Sequence, residues 1–201
     1  TERAGRLTLL RGAARTAIRG LPPIVTMGQG GLLDIALDPR YTENGWLYMS
    51  HAVEVPGGAG TAITRARLSG DRLVDLQEIF RMKRGSSRGQ HFGSRIVFAA
   101  DGTLLFTIGD RGEGSRAQSL QEHAGKTLRI NTDGTIPADN PFARRPGALP
   151  EIYTYGNRNA QGMAVHPSTG AIWQHEHGAR GGDEVNILRP GRNYGWPEIT
   201  W

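Results

Sequence analysis

The chain has 201 residues, no cysteine, and a formal net charge of +5 that arises from 24 Lys and Arg against 19 Asp and Glu. The absence of cysteine excludes disulfides and thiolate-bound metals, and no apolar run approaches the ~20 residues of a membrane-spanning helix. Because the basic residues neither form a stripe nor interleave with aromatic residues, a solvated basic surface is favoured over a nucleic-acid-binding face.

The composition, with 29 Gly and 11 Pro, predicts a turn-dense chain of short strands. The stretch Ser115–Ala124 is the one predicted helix, and Thr61–Leu68 alternates as a half-buried strand does. Asn131–Pro150 is predicted to be an ordered connection between blades. No alternation of strands and helices is present, which disfavours a parallel doubly wound sheet. The predicted strands are Leu32–Leu37, Trp46–His51, Ala62–Leu68, Ile96–Ala99, Leu104–Ile108, Thr127–Ile130, Glu151–Tyr155, Met163–Val165, Ala171–His175 and Glu184–Leu188.

One pattern occurs three times: a polar loop that contains Gln, an apolar strand, a tight turn and a second apolar strand. The turn glycines of the three copies are Gly45, Gly102 and Gly170. The period exceeds the ~40–45 residues of a compact four-stranded blade, so each unit carries long loops. The repeat predicts an all-β fold of the β-propeller class, with about three to four blades in this chain. Residues 1–201 are therefore expected to be a partial propeller domain, truncated at both ends.

The polar loops of the repeat are expected to meet, because equivalent loops of a radial repeat converge on one place. These loops contain Gln29, His91 and the run Arg158, Asn159, Ala160, Gln161. An imidazole can take a proton from a hydroxyl near neutral pH. The guanidinium of Arg158 suits a carboxylate. Together with the neutral amides, these groups suit an anionic, oxygen-rich ligand.

A glycine-rich loop runs from His177 to Glu184 and ends in the carboxylates Asp183 and Glu184. Carboxylate oxygens and carbonyls are the ligands that Ca²⁺ prefers, although the spacing is not that of an EF-hand. A solvated acidic pair is the alternative interpretation. The segment 110–113, with Asp110 at its start, is predicted to be a simple turn. The sequence has no nucleophile elbow, P-loop or dinucleotide fingerprint.

Five motifs stand along the chain: GQGGLLDIALDP, GQHFGSRIVF, GKTLRINTDGTIPADNPF, GNRNAQGMAVHP, and HGARGGDEVNIL followed by NYGWP. Together they resemble the soluble quinoprotein glucose/sorbosone dehydrogenases, and most nearly the PQQ-dependent aldose sugar dehydrogenases. The resemblance covers the whole chain. It implies a six-bladed β-propeller with pyrroloquinoline quinone (PQQ) and Ca²⁺ over the central channel, of which this chain is an incomplete fragment.

The resemblance also implies roles for single residues. His91 aligns with the general base that takes the sugar C1 hydroxyl proton while hydride passes to the quinone. Arg158 aligns with a residue near the reactive carbonyls of PQQ, which makes it a second catalytic candidate. The cofactor-binding residues implied by the motifs are Gln29, Arg158, Asn159, Gln161 and His177.

Two calcium sites are implied by the same resemblance. The carbonyls of Gly178 and Ala179 match those that bind the PQQ-linked Ca²⁺. Glu184 and the Tyr194 carbonyl match a second Ca²⁺ site, with Asp183 as a further candidate ligand. The chain departs from the glucose-type enzymes in having Gln90 before the histidine, where they have Asp, and in having His177-Gly178-Ala179 where they have Gln-Gly-Pro.

The function implied is oxidation of aldose sugars at C1 to lactones, with electrons passing to an artificial, quinone or cytochrome acceptor. The expected location is periplasmic or secreted, without nucleic acid or a membrane span. Two alternatives remain open from the sequence. One is a non-enzymatic propeller that binds a protein or glycan, and the other is a metal-dependent propeller lactonase. A binding module is expected to have lost His91 or Arg158, and a lactonase needs several acidic metal ligands where the repeat loops offer mainly Gln.

Overall fold

A computed structural model describes residues 1–199, so that residues 200 and 201 of the predicted domain lie outside the described part. The chain forms two compact units, Thr1–Gly89 and Gln90–Trp201. The strands are β1 (Leu7–Arg11), β2 (Ala14–Ile18), β3 (Leu32–Leu37), β4 (Trp46–Val55), β5 (Gly58–Ser69), β6 (Arg72–Arg81), β7 (Ile96–Phe98), β8 (Leu104–Ile108), β9 (Lys126–Ile130), β10 (Ile152–Tyr155), β11 (Ala160–Val165), β12 (Ile172–Glu176) and β13 (Glu184–Ile187). The helical elements described are α1 (Tyr41–Asn44) and a 3₁₀ turn (Gly114–Ala117).

The first unit contains a four-stranded antiparallel sheet in the order β3-β4-β5-β6 and the separate hairpin β1-β2. Leu7 and Ile18 of the hairpin pack into one core with Leu32, Leu47 and Met49 of the sheet. Burial of this apolar surface is the main force that holds the hairpin to the sheet.

The second unit contains a four-stranded sheet, β7-β8-β9-β10, and a three-stranded sheet, β11-β12-β13, all antiparallel. Leu105 of β8 shares an apolar core with Met163 of β11 and Ile172 of β12. The hydroxyl of Thr107 also donates to the Ala160 carbonyl at 2.8 Å. These contacts join β8 of the first sheet to β11 and β12 of the second, next to the polar loops before β7 and β11.

The predicted repeat is confirmed at the level of strand pairs. β3-β4, β7-β8 and β11-β12 are each antiparallel and each open their own sheet. The turn glycines Gly45, Gly102 and Gly170 have φ of 69°, 81° and 69°, a backbone region that favours glycine. The predicted bounds of Leu32–Leu37 and Leu104–Ile108 match the structure, and the other predicted strands lie within or across observed ones.

Three strands were not predicted: β1, β2 and β6. The strand β2 is exposed at four of its five residues, so it carries little apolar signal. In β6 the ladder with β5 shifts register twice, and Asp75 has φ of 54°, which interrupts the alternation that identifies a strand. The predicted helix Ser115–Ala124 is wrong, because this region forms only the short 3₁₀ turn at Gly114–Ala117.

Two further expectations are corrected. Thr61–Leu68 is not half-buried, because β5 lies between β4 and β6, and the four residues from Thr61 to Thr64 are all buried. The connection Asn131–Pro150 does not join two blades, since it links β9 and β10 of one sheet. No helix within residues 1–199 is long and apolar enough to cross a membrane.

Candidate active site

The loop that carries His91 has an unusual backbone. His91 and Ser94 have φ of 55° and 80° although neither is glycine. A Cβ on Gly109, just beyond β8, would lie 2.2 Å from the carbonyl oxygen of His91. Strained backbone held by close packing is common at functional sites, because the surroundings must over-determine the conformation. The loop is therefore fixed against the end of β8.

The carboxylate of Asp110 contacts the imidazole of His91. The Nδ1 atom of His91 lies 2.6 Å from Oδ1 of Asp110, whose side chain is 2% exposed. Gly112 N–H donates to the same oxygen at 2.7 Å, and Trp196 Nε1–H donates to Oδ2 at 2.8 Å. A carboxylate accepts, so Nδ1 carries a proton, and in the neutral ring Nε2 then carries the lone pair. This tautomer suits a general base that acts through Nε2.

The role of Asp110 was missed in the sequence. Residues 110–113 do form the predicted turn, with Glu113 N–H donating to the Asp110 carbonyl. The carboxylate, however, bonds to a histidine that is 19 residues earlier in the chain as well as to Gly112 N–H within the turn. The available signal was the position of Asp110 just beyond the buried strand β8, where a polar side chain stands at the same edge of the sheet as the loop before β7.

A buried cation lies behind the His91 loop. The guanidinium of Arg111 stacks on the ring of Phe92 with 3.6 Å to the ring centroid, and Arg111 is 1% exposed. Burial, with a smaller contribution from the charge of Arg116, lowers the pKa of Arg111 to about 9. The stacked side chains of Arg111 and Phe92 pack the His91 loop against the residues that follow β8.

The loop before β11 meets the loop before β7. The carbonyl of Arg158 accepts from Asp110 N–H at 2.8 Å, and Oδ1 of Asn159 accepts from Gly93 N–H at 3.2 Å. Asn159 is 3% exposed. The structure therefore brings His91, Arg158 and Asn159 to one place, and it places the Asn159 amide oxygen on the His91 loop.

Arg158 extends into a small cleft of the second unit. Its Nη1 donates to the His177 carbonyl at 3.1 Å, and its guanidinium lies 5.4 Å from the Trp196 ring centroid. The Arg158 guanidinium thus contacts both the His177 carbonyl and the Trp196 ring. The cleft is lined by Arg158, Glu176, Gly178, Ala179, Gly182, Glu184, Trp196 and Ile199.

Gln161 and His177, both predicted to bind the cofactor, are exposed and contact each other. Oε1 of Gln161 lies 3.1 Å from Nε2 of His177. Asp183 closes the following loop, because its Oδ1 accepts from Gly178 N–H at 2.9 Å. A Cβ on Gly178 would lie 1.8 Å from the Gly182 carbonyl oxygen, so the tight turn needs glycine there. The loop thus has a defined shape beside Arg158.

The predicted metal ligands divide into two groups. Gly178, Ala179 and Glu184 line the cleft together, and their carbonyl and carboxylate oxygens have the chemistry that fits Ca²⁺. Among residues 1–199, no group of three or more His, Asp or Glu side chains is arranged to hold a metal ion. Tyr194 donates its hydroxyl to the Ile187 carbonyl at 2.7 Å and is not among the described residues that line the cleft.

Gln29 belongs to the first unit. Its N–H donates to the Gly89 carbonyl at 2.7 Å, and its side chain is exposed. The preceding Gly28 has φ of 58°, and a Cβ there would lie 2.0 Å from the Gly89 carbonyl oxygen. The side chain of Arg3 also donates to the Gly28 carbonyl. These contacts hold the backbone of the Gln29 loop against Gly89 and Arg3.

Antiparallel sheets that repeat one strand pair, each opened by a polar loop, define a protein of the β-propeller class. The sequence profile of the Glucose / Sorbosone dehydrogenase family matches residues 1–201, and the chain belongs to that family. The expected all-β propeller fold is therefore confirmed, and so is the resemblance on which the expectation rested.

Individual relatives agree with this assignment. The chain is 44% identical over 187 residues to the Aldose sugar dehydrogenase YliI of Escherichia coli, covering 92% of this chain and 50% of that protein. It is 31% identical over 231 residues to the Quinoprotein glucose dehydrogenase B of Acinetobacter calcoaceticus, covering 100% of this chain and 48% of that protein. The chain thus spans about half the length of these curated relatives.

A solved structure extends the comparison. The PQQ-bound form of an Aldose Sugar Dehydrogenase from Streptomyces coelicolor superimposes with a TM-score of 0.85 at 31% identity. The match covers 98% of this chain and 57% of that one. Both units of the chain therefore have counterparts in a protein that binds PQQ.

Proposed function

We propose that the protein to which these residues belong is a PQQ-dependent aldose sugar dehydrogenase that oxidises the sugar at C1 to a lactone. The observation that carries the proposal is the buried contact between His91 and Asp110, 2.6 Å long, beside the loop of Arg158. The Streptomyces coelicolor protein supports the choice of cofactor, since its structure holds PQQ.

His91 is proposed to be the general base. Asp110 fixes the tautomer in which Nδ1 is protonated, and Nε2 then takes the proton from the C1 hydroxyl. The Asp110 carboxylate stabilises the imidazolium that results, because it lies 2.6 Å away with little access to water. The arrangement is that of a base whose orientation is set by a second buried group.

Arg158 is proposed to be the main protein contact for the cofactor, with Gln161 and His177 at the rim. The guanidinium fork suits the carboxylate and carbonyl oxygens of PQQ, and the Trp196 ring beside it suits a planar ligand. PQQ, when bound, supplies the two-electron acceptor for the hydrogen on C1. Asn159 and Gln29 remain proposed contacts of the cofactor and substrate, and Asn159 also anchors the His91 loop through Gly93.

Calcium is proposed to bind at the carbonyls of Gly178 and Ala179. The side chain of Glu184 stands in the same cleft and adds negative charge. A second calcium site with Glu184, Asp183 and Tyr194 is proposed from the family resemblance. We further propose a periplasmic or secreted location and an artificial, quinone or cytochrome electron acceptor.

The test is reconstitution of the full-length protein with PQQ and Ca²⁺, followed by dye reduction with a panel of aldoses. Sugar-dependent reduction with lactone as the product supports the proposal. A His91→Gln variant is expected to lose turnover by about 10²- to 10⁴-fold, the scale of a positioned base. The matched control is His166→Gln, since His166 lies in the β11–β12 turn and bonds to the backbone there.

A PQQ titration of the same two variants separates catalysis from binding. His91→Gln is expected to bind PQQ with nearly unchanged affinity. Absence of turnover in the reconstituted protein with every aldose tested would reject the function. Unchanged kcat in His91→Gln would instead place the base elsewhere.

A further inference from the structure

A buried carboxylate, Glu176, lies at the end of β12, lines the cleft and is 4% exposed. Its Oε1 accepts from Asn157 Nδ2 at 2.7 Å and from Asn186 Nδ2 at 3.3 Å. Its Oε2 accepts from the backbone N–H of Arg158 at 2.5 Å. Neither the sequence motifs nor the proposed reaction gives Glu176 a role, although a buried carboxylate is costly unless it is well paired.

The contacts of Glu176 make it part of a frame around Arg158. The N–H of Arg158 bonds to Glu176, and the carbonyl of Arg158 bonds to Asp110 N–H at 2.8 Å. The Nη1 atom of Arg158 bonds to the carbonyl of His177, the residue that follows Glu176. Backbone and guanidinium of Arg158 are therefore both held by the end of β12.

Only a carboxylate of this length fits the set of donors. Both oxygens accept, and Asn157, Asn186 and Arg158 each supply an N–H donor. A glutamine has one acceptor oxygen, and its NH₂ group would face an N–H donor at one end. An aspartate keeps both acceptors on a shorter arm that cannot reach as far.

We propose that Glu176 is a positioning residue that fixes Arg158 in the orientation needed to bind the cofactor carbonyl or carboxylate oxygens. The inference rests on the proposed function, because it concerns how Arg158 meets PQQ. Glu176 acts through Arg158 and makes no contact with the sugar in this mechanism. Loss of Glu176 therefore weakens cofactor binding by freeing the loop before β11.

The test is a double-mutant cycle on the full-length protein, with PQQ affinity as the readout. PQQ is titrated in saturating Ca²⁺ while the fluorescence of tryptophan, including Trp196 in the cleft, is followed. Glu176→Gln is expected to weaken PQQ binding by about 10- to 100-fold, the scale of one hydrogen bond to a charged group. In an Arg158→Ala background the same substitution is expected to have little further effect.

The matched control is Glu151→Gln. Glu151 is also a buried carboxylate of the second unit, and it bonds to His123 Nε2 at 2.7 Å. This variant makes the same substitution at a buried Glu side chain away from Arg158, so PQQ affinity is expected to stay unchanged. Glu176→Asp, with both acceptors retained, is expected to show an intermediate loss and serves if the glutamine variant does not fold.

Three results would overturn the inference. The first is PQQ affinity in Glu176→Gln equal to that of the parent protein. The second is an equal loss with and without Arg158, which would show that Glu176 acts by a separate route. The third is an equal loss in the Glu151 control. Failure of the parent protein to bind PQQ would reject the proposed function instead, so the two failures are distinguishable.

Discussion

At the scale of single residues, the site depends on groups whose partners are distant in the chain. Asp110 accepts three hydrogen bonds, from the His91 ring, the Gly112 amide and the Trp196 indole. Two of these donors approach Oδ1 and the third approaches Oδ2 of a side chain that is 2% exposed, so loss of the carboxylate leaves three donors without their acceptor. The orientation of His91 is therefore set by a carboxylate that can only accept.

The first prediction concerns Asp110→Asn. The amide keeps the shape of the carboxylate but replaces one acceptor by an NH₂ donor, which conflicts with an N–H donor at that position. His91 is expected to change tautomer or turn, and kcat is expected to fall about 10²- to 10⁴-fold, as for loss of a positioned base. Steady-state kinetics of the reconstituted protein measure this.

The control for Asp110→Asn is Asp101→Asn. Asp101 lies in the β7–β8 turn and accepts hydrogen bonds from Thr103 and from Arg129 of β9. It changes the same functional group in the same sheet without touching His91. A normal kcat in Asp110→Asn would show that the contact with Asp110 does not orient the base. An equal loss in both variants would point to general destabilisation.

Some residues of the site could be predicted from the sequence, and others could not. His91 and Arg158 stand in loops that the repeat makes equivalent, so pattern and side-chain chemistry together identified them. Asp110 and Glu176 are identified only by contacts across the fold, since each lies at a strand end in a locally ordinary segment. Their partners are 19 and 18 residues away, beyond the range of turn and periodicity rules.

At the scale of elements, the polar loops are held by close backbone approach. Gly109 has no room for a Cβ, because His91 O would lie at 2.2 Å and His91 Cβ at 3.0 Å. A Cβ on Gly93 would lie 3.0 Å from the Ala160 carbonyl oxygen. The backbone at the strand ends therefore fixes the position of the His91 loop, and the loop in turn orients the His91 side chain.

The second prediction concerns Gly109→Ala. The added methyl group must displace the His91 backbone, and a shift of about 1 Å in a catalytic group can cost about 10²-fold in rate. We expect kcat to fall on that scale while the fold persists. Gly170→Ala is the matched control, because a Cβ at Gly170 meets nothing within 4 Å and the substitution carries only the strain of its φ of 69°.

Kinetics and thermal melting of the two glycine variants together decide the result. If Gly109→Ala retains full kcat, the loop can relax without moving the base, and the close approach has no catalytic meaning. If Gly170→Ala loses as much activity as Gly109→Ala, the loss reflects strain in general.

The elements themselves were partly predictable. A strand that is buried along its whole length, such as β8, is visible in the sequence because burial requires apolar side chains. The strands β2 and β6 expose most of their side chains, so their pairing depends on backbone hydrogen bonds that composition does not reveal. The glycine turns that connect the two strands of each pair were predicted correctly, because their positive φ restricts the residue type.

At the scale of the whole molecule, pH and ligands act on stability through single buried groups. His51 of β4 is 1% exposed, and its Nε2 lies 2.8 Å from the Thr64 hydroxyl. Burial lowers the pKa of His51 from 6.5 to about 4. The unfolded chain therefore binds a proton between pH 6.5 and 4 that the folded chain excludes.

The third prediction follows from this difference in pKa. The contribution of His51 to stability is complete above pH 6.5 and is lost as the pH falls toward 4, by about 3 kcal/mol in all. Urea unfolding at pH 7.5 and at pH 4.5 measures the loss. His51→Gln does not titrate, so its stability is expected to fall less over the same interval. Parallel pH dependence in the two proteins would contradict the assignment.

The last prediction concerns ligands that bind only the folded protein. Such a ligand stabilises by RT ln(1 + [L]/Kd), about 2.7 kcal/mol at one hundred times Kd. If the Gly178 and Ala179 carbonyls and the Glu184 carboxylate bind Ca²⁺ beside PQQ, Ca²⁺ and PQQ together raise the melting temperature of the full-length protein, and a chelator reverses the rise. Glu184→Gln keeps the size of the side chain and removes its charge, so it is expected to reduce the response to Ca²⁺. Mg²⁺ at equal concentration is the control, because its small size and demand for octahedral geometry fit backbone carbonyls poorly. Equal melting with Ca²⁺, Mg²⁺ and chelator would show that this cleft holds no calcium, and would leave Arg158 as the group that binds the cofactor.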